Sequence, residues 1–341
     1  MDALQRWRPD DRGFSLVEVL TAMFLTLVVV GAAIGLANPH TLAARVQPDS
    51  VDAQQRLRTV VDVLSQELYD AGAGVDRGTL AGPLGRFLPP VIPRLVGLNH
   101  SDPPGLVRRD AVTLLRVPAA GSQSALSAPL AMPTARLLQV PGCPATLPAC
   151  GLVPGDGLVL FDDQGHFDVF SVISAIGLDA SLRHRGLLGA YSYQAGSHAA
   201  EVDLRSYYFD AAQGQLRFSD GDATDQPVVD GLSVVAFEYF GSPAPPRLPK
   251  PAAGVANCLY DAAGVPDPAL ITLPAGPHGL AAVTAPILAD GPWCGAGDTR
   301  FDADLLRIRR VRVTVSAATP VSGRPVSVTF DIAPRNLADQ P

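Results

Sequence analysis

The chain has 341 residues, enough for one large domain or two small ones beyond an anchor. Its net charge of −7, from 26 Lys+Arg against 33 Asp+Glu, argues against a nucleic-acid-coating protein. With 32 Gly, 32 Pro and only 17% charged residues, the composition indicates a loop-rich, β-rich body.

The chain opens with a short polar stretch, Met1 to Gly13, carrying Arg6, Arg8 and Arg12. By the positive-inside rule these favour a cytoplasmic N-terminus, and Asp2, Asp10 and Asp11 count for little. From Phe14 to Leu36 the sequence is apolar and Glu18 is its one ionisable residue. As a helix this segment reaches about 35 Å, enough for a hydrocarbon core of about 30 Å. A carboxylate at the centre of such a helix costs about 2.5–3.5 kcal/mol, and less near its edge, so Glu18 requires a partner. A secretory signal has an apolar core of about 7–15 residues followed by a small-x-small cleavage site. Here the core is too long, and the small residues Gly31 to Ala33 lie inside it. A plain signal anchor fits the length but leaves Glu18 unexplained. The third reading places a processing site before the apolar segment, at Gly13/Phe14.

The run Gly13-Phe14-Ser15-Leu16-Val17-Glu18 resembles the N-terminus of the type IV pilin and type II secretion pseudopilin superfamily. The resemblance implies cleavage after Gly13 by prepilin peptidase on the cytoplasmic side, and N-methylation of the new Phe14 amine. It further implies a pilin-like α+β fold, in which the long N-terminal helix continues into an amphipathic helix packed on an antiparallel β-sheet domain. The implied partners are other pilins or pseudopilins and an inner-membrane assembly platform. The physical logic is consistent: cleavage creates a positive amine at the head of an apolar helix, and Glu18 supplies the opposite charge. When helices stack with an axial offset, Glu18 of one subunit meets the Phe14 amine of the next, and the cost of an unpaired charge in low dielectric sets the stagger.

Beyond the apolar core, Asn38-Pro39 predicts a break or kink. A helical extension fills residues 37–74. Its clear pattern runs from about Ser50 to Ala71, capped by Asp49 or Ser50, with Leu57, Val60, Val61, Leu64, Leu68 and Ala71 at three- and four-residue spacing. Gly72 marks its C-cap. The globular domain is 75–341. Val75 to Asp110 reads as loop with short strands, and Ala111 to Val117 as the first clear strand. A flexible stretch then leads to Pro133, followed by a strand from Ala135 to Val140. Gly157–Asp162 with Phe167–Ile176, and Glu201–Asp210 with Gln215–Phe218, read as hairpins. Asp220, Asp222 and Asp225 superficially suggest a Ca²⁺ loop, but Gly231 stands at the closing Glu position, so a solvated turn is expected. Val228 to Phe240 is apolar on both faces and reads as one central strand.

All four Cys lie beyond the apolar segment, which fits disulfides in an oxidising periplasm. Cys143 and Cys150 would pin a small loop, worth about 2.5 kcal/mol in the chain-entropy model; a metal site lacks further His or Cys ligands nearby. An insertion-like region, about 241–303, holds Cys258 and Cys294. Their pairing would close a loop worth about 3.8 kcal/mol, with Trp293 covering the bridge. Leu305–Ser316 and Arg324–Ala333 form the last hairpin. Its apolar parity changes between Ile308 and Val311, predicting a β-bulge at Arg309–Arg310. Arg307, Arg309, Arg310 and Arg312 are expected on a solvated face, paired with Asp302, Asp304 and Asp331. The ending Asp331-Ile-Ala-Pro-Arg-Asn-Leu337 resembles the C-terminal strand of W-type minor pilins and J-type minor pseudopilins.

No Gly-x-Ser-x-Gly, His-Glu-x-x-His, Walker or dinucleotide pattern occurs, and the six His are scattered. No catalytic, metal or cofactor site is expected. The reading is a minor pilin or pseudopilin held in the inner membrane, body periplasmic, until it enters a filament, where its bulk suits a priming or tip position. The alternatives are a J-type pseudopilin of a type II secretion system, or a membrane-anchored periplasmic binding module or enzyme.

Overall fold

A run of apolar residues behind a serine starts the first element. The computed structural model describes residues 15–72, 88–97, 101–117, 123–130, 134–138, 148–162, 167–184, 192–221, 224–295, 300–319 and 325–334. Helix α1 spans Leu16–Asp70. Ser15 caps it: its hydroxyl accepts from the Val17 N–H (3.4 Å) and its carbonyl from Glu18 and Val19 (3.0 and 3.1 Å). The backbone stays helical through Asn38-Pro39, so the expected break is absent, as is a new N-terminus at Asp49 or Ser50. An interior proline removes one hydrogen bond and costs about 3 kcal/mol, which does not terminate a helix when good helical sequence flanks it. Two compact units divide at Asp52/Ala53. In the first, Leu16–Gly35 has a mean hydropathy of 2.3 and none of it is buried.

In the second unit, Ala53, Leu57, Val60, Leu64, Leu68 and Ala71 are all buried in the main core. The spacing of four, three, four, four and three is the stripe of one helix face. Gln54, Arg58, Asp62 and Gln66 face solvent. The helix stops because Gly72 takes φ +75°, a left-handed C-cap conformation, and its N–H donates to the Leu115 carbonyl (2.8 Å).

The strands in chain order are β1 (Val91–Ile92), β2 (Ala111–Arg116), β3 (Gln123–Leu126), β4 (Thr134–Leu138), β5 (Gly157–Phe161), β6 (Phe167–Ile176), β7 (Asp179–His184) and β8 (His198–Asp210). They continue as β9 (Gln215–Ser219), β10 (Asp225–Val229), β11 (Leu232–Gly241), β12 (Ala281–Val283), β13 (Trp293–Cys294), β14 (Phe301–Asp302), β15 (Ile308–Ala317) and β16 (Val326–Ile332). All pairings are antiparallel.

Strand β8 joins two subassemblies. Its C-terminal half pairs with β2 on one side and β9 on the other. Its N-terminal half pairs with β3 and β5. Because β3, β4, β7, β6 and β5 are linked in that order, the second half closes a six-stranded barrel. Alternation gives the barrel its own core. Leu158 and Leu160 join Leu126, Phe170, Val172, Leu182 and Ala199 inside, while Val159, Phe161, Ala200 and Val202 face the main core. The barrel goes beyond the hairpins expected from the sequence. β3 lies in the stretch expected to be flexible, and β7 and the first residues of β8 are strands beyond those the sequence pattern indicates.

The second sheet has the order β12-β11-β15-β16. Val235, Phe237 and Tyr239 lie opposite Val315, Val313 and Val311, all buried. Val228–Phe240 is two strands, broken at Asp230-Gly231, where Gly231 has φ +68°. At the other end Phe240 pairs with Arg310 and Gly241 with Ile308, so Arg309 is the extra residue of a bulge. Gly241 is required there because a Cβ would lie 2.3 Å from the Arg307 carbonyl oxygen. Leu305 to Arg307, expected as strand, belongs to a 3-10 turn, Ala303–Arg307.

Candidate assembly helix

Within the exposed apolar stretch Leu16–Gly35 one residue is ionisable. Glu18 lies in the first turn of α1 with its side chain exposed, beside Val19, Ala22, Met23, Thr26 and Leu27. Thr21 donates to the carbonyls of Val17 (2.9 Å) and Glu18 (3.0 Å), and Thr26 to that of Ala22 (2.7 Å). These back-bonds satisfy both hydroxyls within the helix, as an apolar medium demands. Glu18 is the one side chain of Leu16–Gly35 that brings a charge outward. The processing pair Gly13 and Phe14 lies outside the described residues.

The body supplies anchoring chemistry of its own. Cys258 and Cys294 are bonded, with Cα atoms 5.1 Å apart and a sequence separation of 36. Cys143 and the proposed Cys143–Cys150 bridge lie outside the described residues; the backbone of Cys150 sits in a 3-10 turn, Pro148–Gly151. Trp293 packs its ring edge on Gly105, and the Arg300 guanidinium lies 5.1 Å from its ring centre. Glu67, on the buried side of α1, accepts from Arg205 (2.9 Å) and sits 3.9 Å from Arg116; both arginines also bind Asp203. This half-buried network ties helix to sheet across β2 and β8.

Arg307 departs most from expectation. Expected on a solvated face, it is wholly buried, donating to Asp304 (2.5 Å) and the Pro243 carbonyl (3.1 Å). Asp302 is also buried; its two oxygens accept from the N–H groups of Gly291 (2.6 Å) and Asp304 (2.9 Å). Together these bonds clamp both ends of the insertion. Asp290, Asp302 and Asp304 have carboxylate oxygens within 4.8 Å of one another. Burial pushes Asp302 up to about 7 despite its two backbone donors, and Asp304 up to about 6 despite Arg307. The Asp302-x-Asp304-x-x-Arg307 spacing was visible, but a polar turn on the surface would look the same.

Other charged groups behave closer to expectation. Arg312 binds Asp331 through two hydrogen bonds (2.7 and 3.0 Å), holding that carboxyl below its ordinary range, and Arg310 lies 3.7 Å from it. Arg309 donates to the carbonyls of Leu306 and Ile308. Asp225, read as part of a turn, is in β10 and accepts from Tyr208 and Arg217 (both 2.9 Å). Asp220 accepts from the Thr224 N–H (3.0 Å), and Asp222 lies outside the described residues.

A helix whose first part is long and apolar enough to cross a membrane, followed by a disulfide-stapled β body, defines a membrane-anchored α+β protein. Residues 8–34 match the prokaryotic N-terminal methylation motif. The chain therefore carries the N-terminus of a type IV pilin-like or pseudopilin-like prepilin, with the processing by prepilin peptidase and assembly with other pilins that this motif implies. The motif points to a structural, non-enzymatic protein. No curated protein and no solved structure matches the chain.

Proposed function

We propose that the chain is a minor pilin or minor pseudopilin that primes or tips a type IV pilus-like filament. In this reading residues 1–13 are a cytoplasmic leader removed between Gly13 and Phe14, residues 14–36 are the membrane and filament-core helix, and the body is periplasmic until extraction. The observation that carries the proposal is Glu18, an exposed charge in the first turn of an otherwise apolar, uncovered helix that follows the matched motif. A charge in hydrocarbon is retained when a partner charge awaits it. The Phe14 amine of a neighbouring subunit is that partner. The size of the body, with a barrel added to the sheet domain, favours an end position over repeated packing along a fibre.

Mass spectrometry of the mature N-terminus is the first test: a methylated Phe14 is expected, and an intact leader would overturn the reading in favour of a membrane-anchored periplasmic module. Glu18→Ala is expected to leave insertion intact and impair incorporation into filaments. Incorporation at the wild-type level, in a subunit with a neighbour ahead of it, would refute the charge-pairing argument. A second reading, a J-type pseudopilin of a type II secretion system, rests on the similarity of the stretch beginning at Asp331-Ile332, at the end of β16. Loss of protein secretion rather than of pili on deletion would favour it.

A further inference from the structure

Apart from the two-residue pair β13–β14, the described sheets have four ends, and three of them are blunted. β1 has two residues, β12 has three, and β10 carries Pro227 with a register irregularity beside it. Short strands, proline and bulges are the ordinary protections against edge pairing. β16 has none of them. Its seven residues, Val-Ser-Val-Thr-Phe-Asp-Ile, pair in unbroken register with β15 from Val311↔Ile332 to Ala317↔Val326. Among the described residues no strand covers its outer edge.

The outward backbone groups of β16 follow from the neighbouring pairings. The Phe237 N–H donates to the Arg109 carbonyl (2.7 Å), away from β15. In an antiparallel ladder hydrogen-bonded and non-bonded pairs alternate, so Phe237↔Val313 is a non-bonded pair. Val313 therefore directs its N–H and C=O toward Phe330, its partner in β16. By alternation Val326, Val328, Phe330 and Ile332 bond inward, leaving Ser327, Thr329 and Asp331 with N–H and C=O outward. The side chains alternate too: the first set is half-buried and the second exposed.

We infer that the β16 edge is a self-pairing surface: a second copy of this chain adds antiparallel about a two-fold axis at Thr329, continuing the sheet across two molecules. This register uses the whole strand. Val326 faces Ile332 and Val328 faces Phe330 on one side; Thr329 faces Thr329 and Ser327 faces Asp331 on the other. Thr329 and Ser327 already form hydroxyl pairs with Thr314 (3.1 Å) and Ser316 (2.7 Å), so the polar row extends without a break. Charge selects the register. An axis at Asp331 would oppose two carboxylates, whereas at Thr329 each meets a serine. The three outward residues of each copy exchange six backbone hydrogen bonds, an isologous contact. The pairing rests on the C-terminal sheet alone and does not depend on the filament reading.

The test uses the full chain in native membranes. Thr329→Cys places two thiols on Cα atoms about 5.5 Å apart across the axis, within reach of a short bismaleimide. A cross-linked dimer is expected, above the background of the unmodified chain and above that of Val234→Cys, an exposed site on the same sheet away from the edge. Adding Ser327→Pro removes an outward N–H without touching the β15 ladder, and the dimer should be lost while the thermal midpoint of the body is kept. Cross-linking no better than Val234→Cys, linkage mainly to a protein of another mass, or a yield unchanged by Ser327→Pro would each overturn the inference.

Discussion

Asp302 gives the sharpest quantitative expectation about the body. An unfolded aspartate titrates near 3.9, whereas burial raises folded Asp302 to about 7. Between those values the folded state binds more protons than the unfolded state, so stability falls as pH rises through the window. At 1.36 kcal/mol per pKa unit the loss between pH 4 and pH 8 is on the order of 2–4 kcal/mol. Asp302→Asn removes this titration at a separate cost. The carboxylate accepts from both Gly291 and Asp304, and an amide oxygen can serve one of those donors in its place. A buried N–H left unpaired costs about 1–3 kcal/mol. The variant should therefore be the less stable protein at pH 5 and gain on the wild type toward pH 8. The difference should move by about 2–4 kcal/mol in its favour. Denaturant unfolding at several pH values, followed by the fluorescence of Trp293, which pairs with Asp302 across β13 and β14, measures both curves. Parallel curves would refute the reasoning, because groups remote from Asp302 titrate alike in both proteins.

Three further outcomes are expected. Replacing Cys258 and Cys294 by alanine should lower stability by up to about 3.8 kcal/mol, the loop entropy released to the unfolded chain, and open 241–303 to limited proteolysis. An unchanged digestion pattern would mean the Asp302 and Arg307 clamps suffice. Glu67→Ala leaves Arg205 and Arg116 half-buried with Asp203 as their shared acid, and should cost about 1–3 kcal/mol by denaturant unfolding; Glu67→Gln should recover part of that. Thr21→Val, which removes a hydroxyl bonded only to its own helix, should leave membrane insertion and filament incorporation unchanged. In that comparison Glu18→Ala is the variant that fails.

The helix was legible because its pattern is local. Leu57, Val60, Leu64, Leu68, Ala71 and the left-handed Gly72 follow from spacing and one glycine, while Val61 is only half-buried and Ala53 extends the stripe beyond the expected positions; the bulge at Arg309 follows from a change of parity between Ile308 and Val311. Breaks are less local. Asn38-Pro39 looks like an end because proline forbids one hydrogen bond, but the backbone carries on through it. Asp230-Gly231 looks like part of a strand because apolar residues flank it, but the positive φ of Gly231 turns the chain.

The sequence by itself determined the class of the anchor. A Gly-Phe junction, an apolar run of helical length and one carboxylate are read along the chain, and their chemistry is that of a helix end, which needs no distant partner to be recognised. Only the tertiary structure decided the body. A barrel closes when β5 and β3 meet opposite edges of β8, a matter of pairing between segments far apart in sequence. Arg307 and Asp302 are buried because the insertion folds over them, and one-dimensional pattern carries no record of what comes to lie above a charged turn. The edge position of β16 among the described strands belongs to the same category: a strand is visible in sequence, while its place at the end of the β12-β11-β15-β16 sheet is fixed by pairing between distant segments.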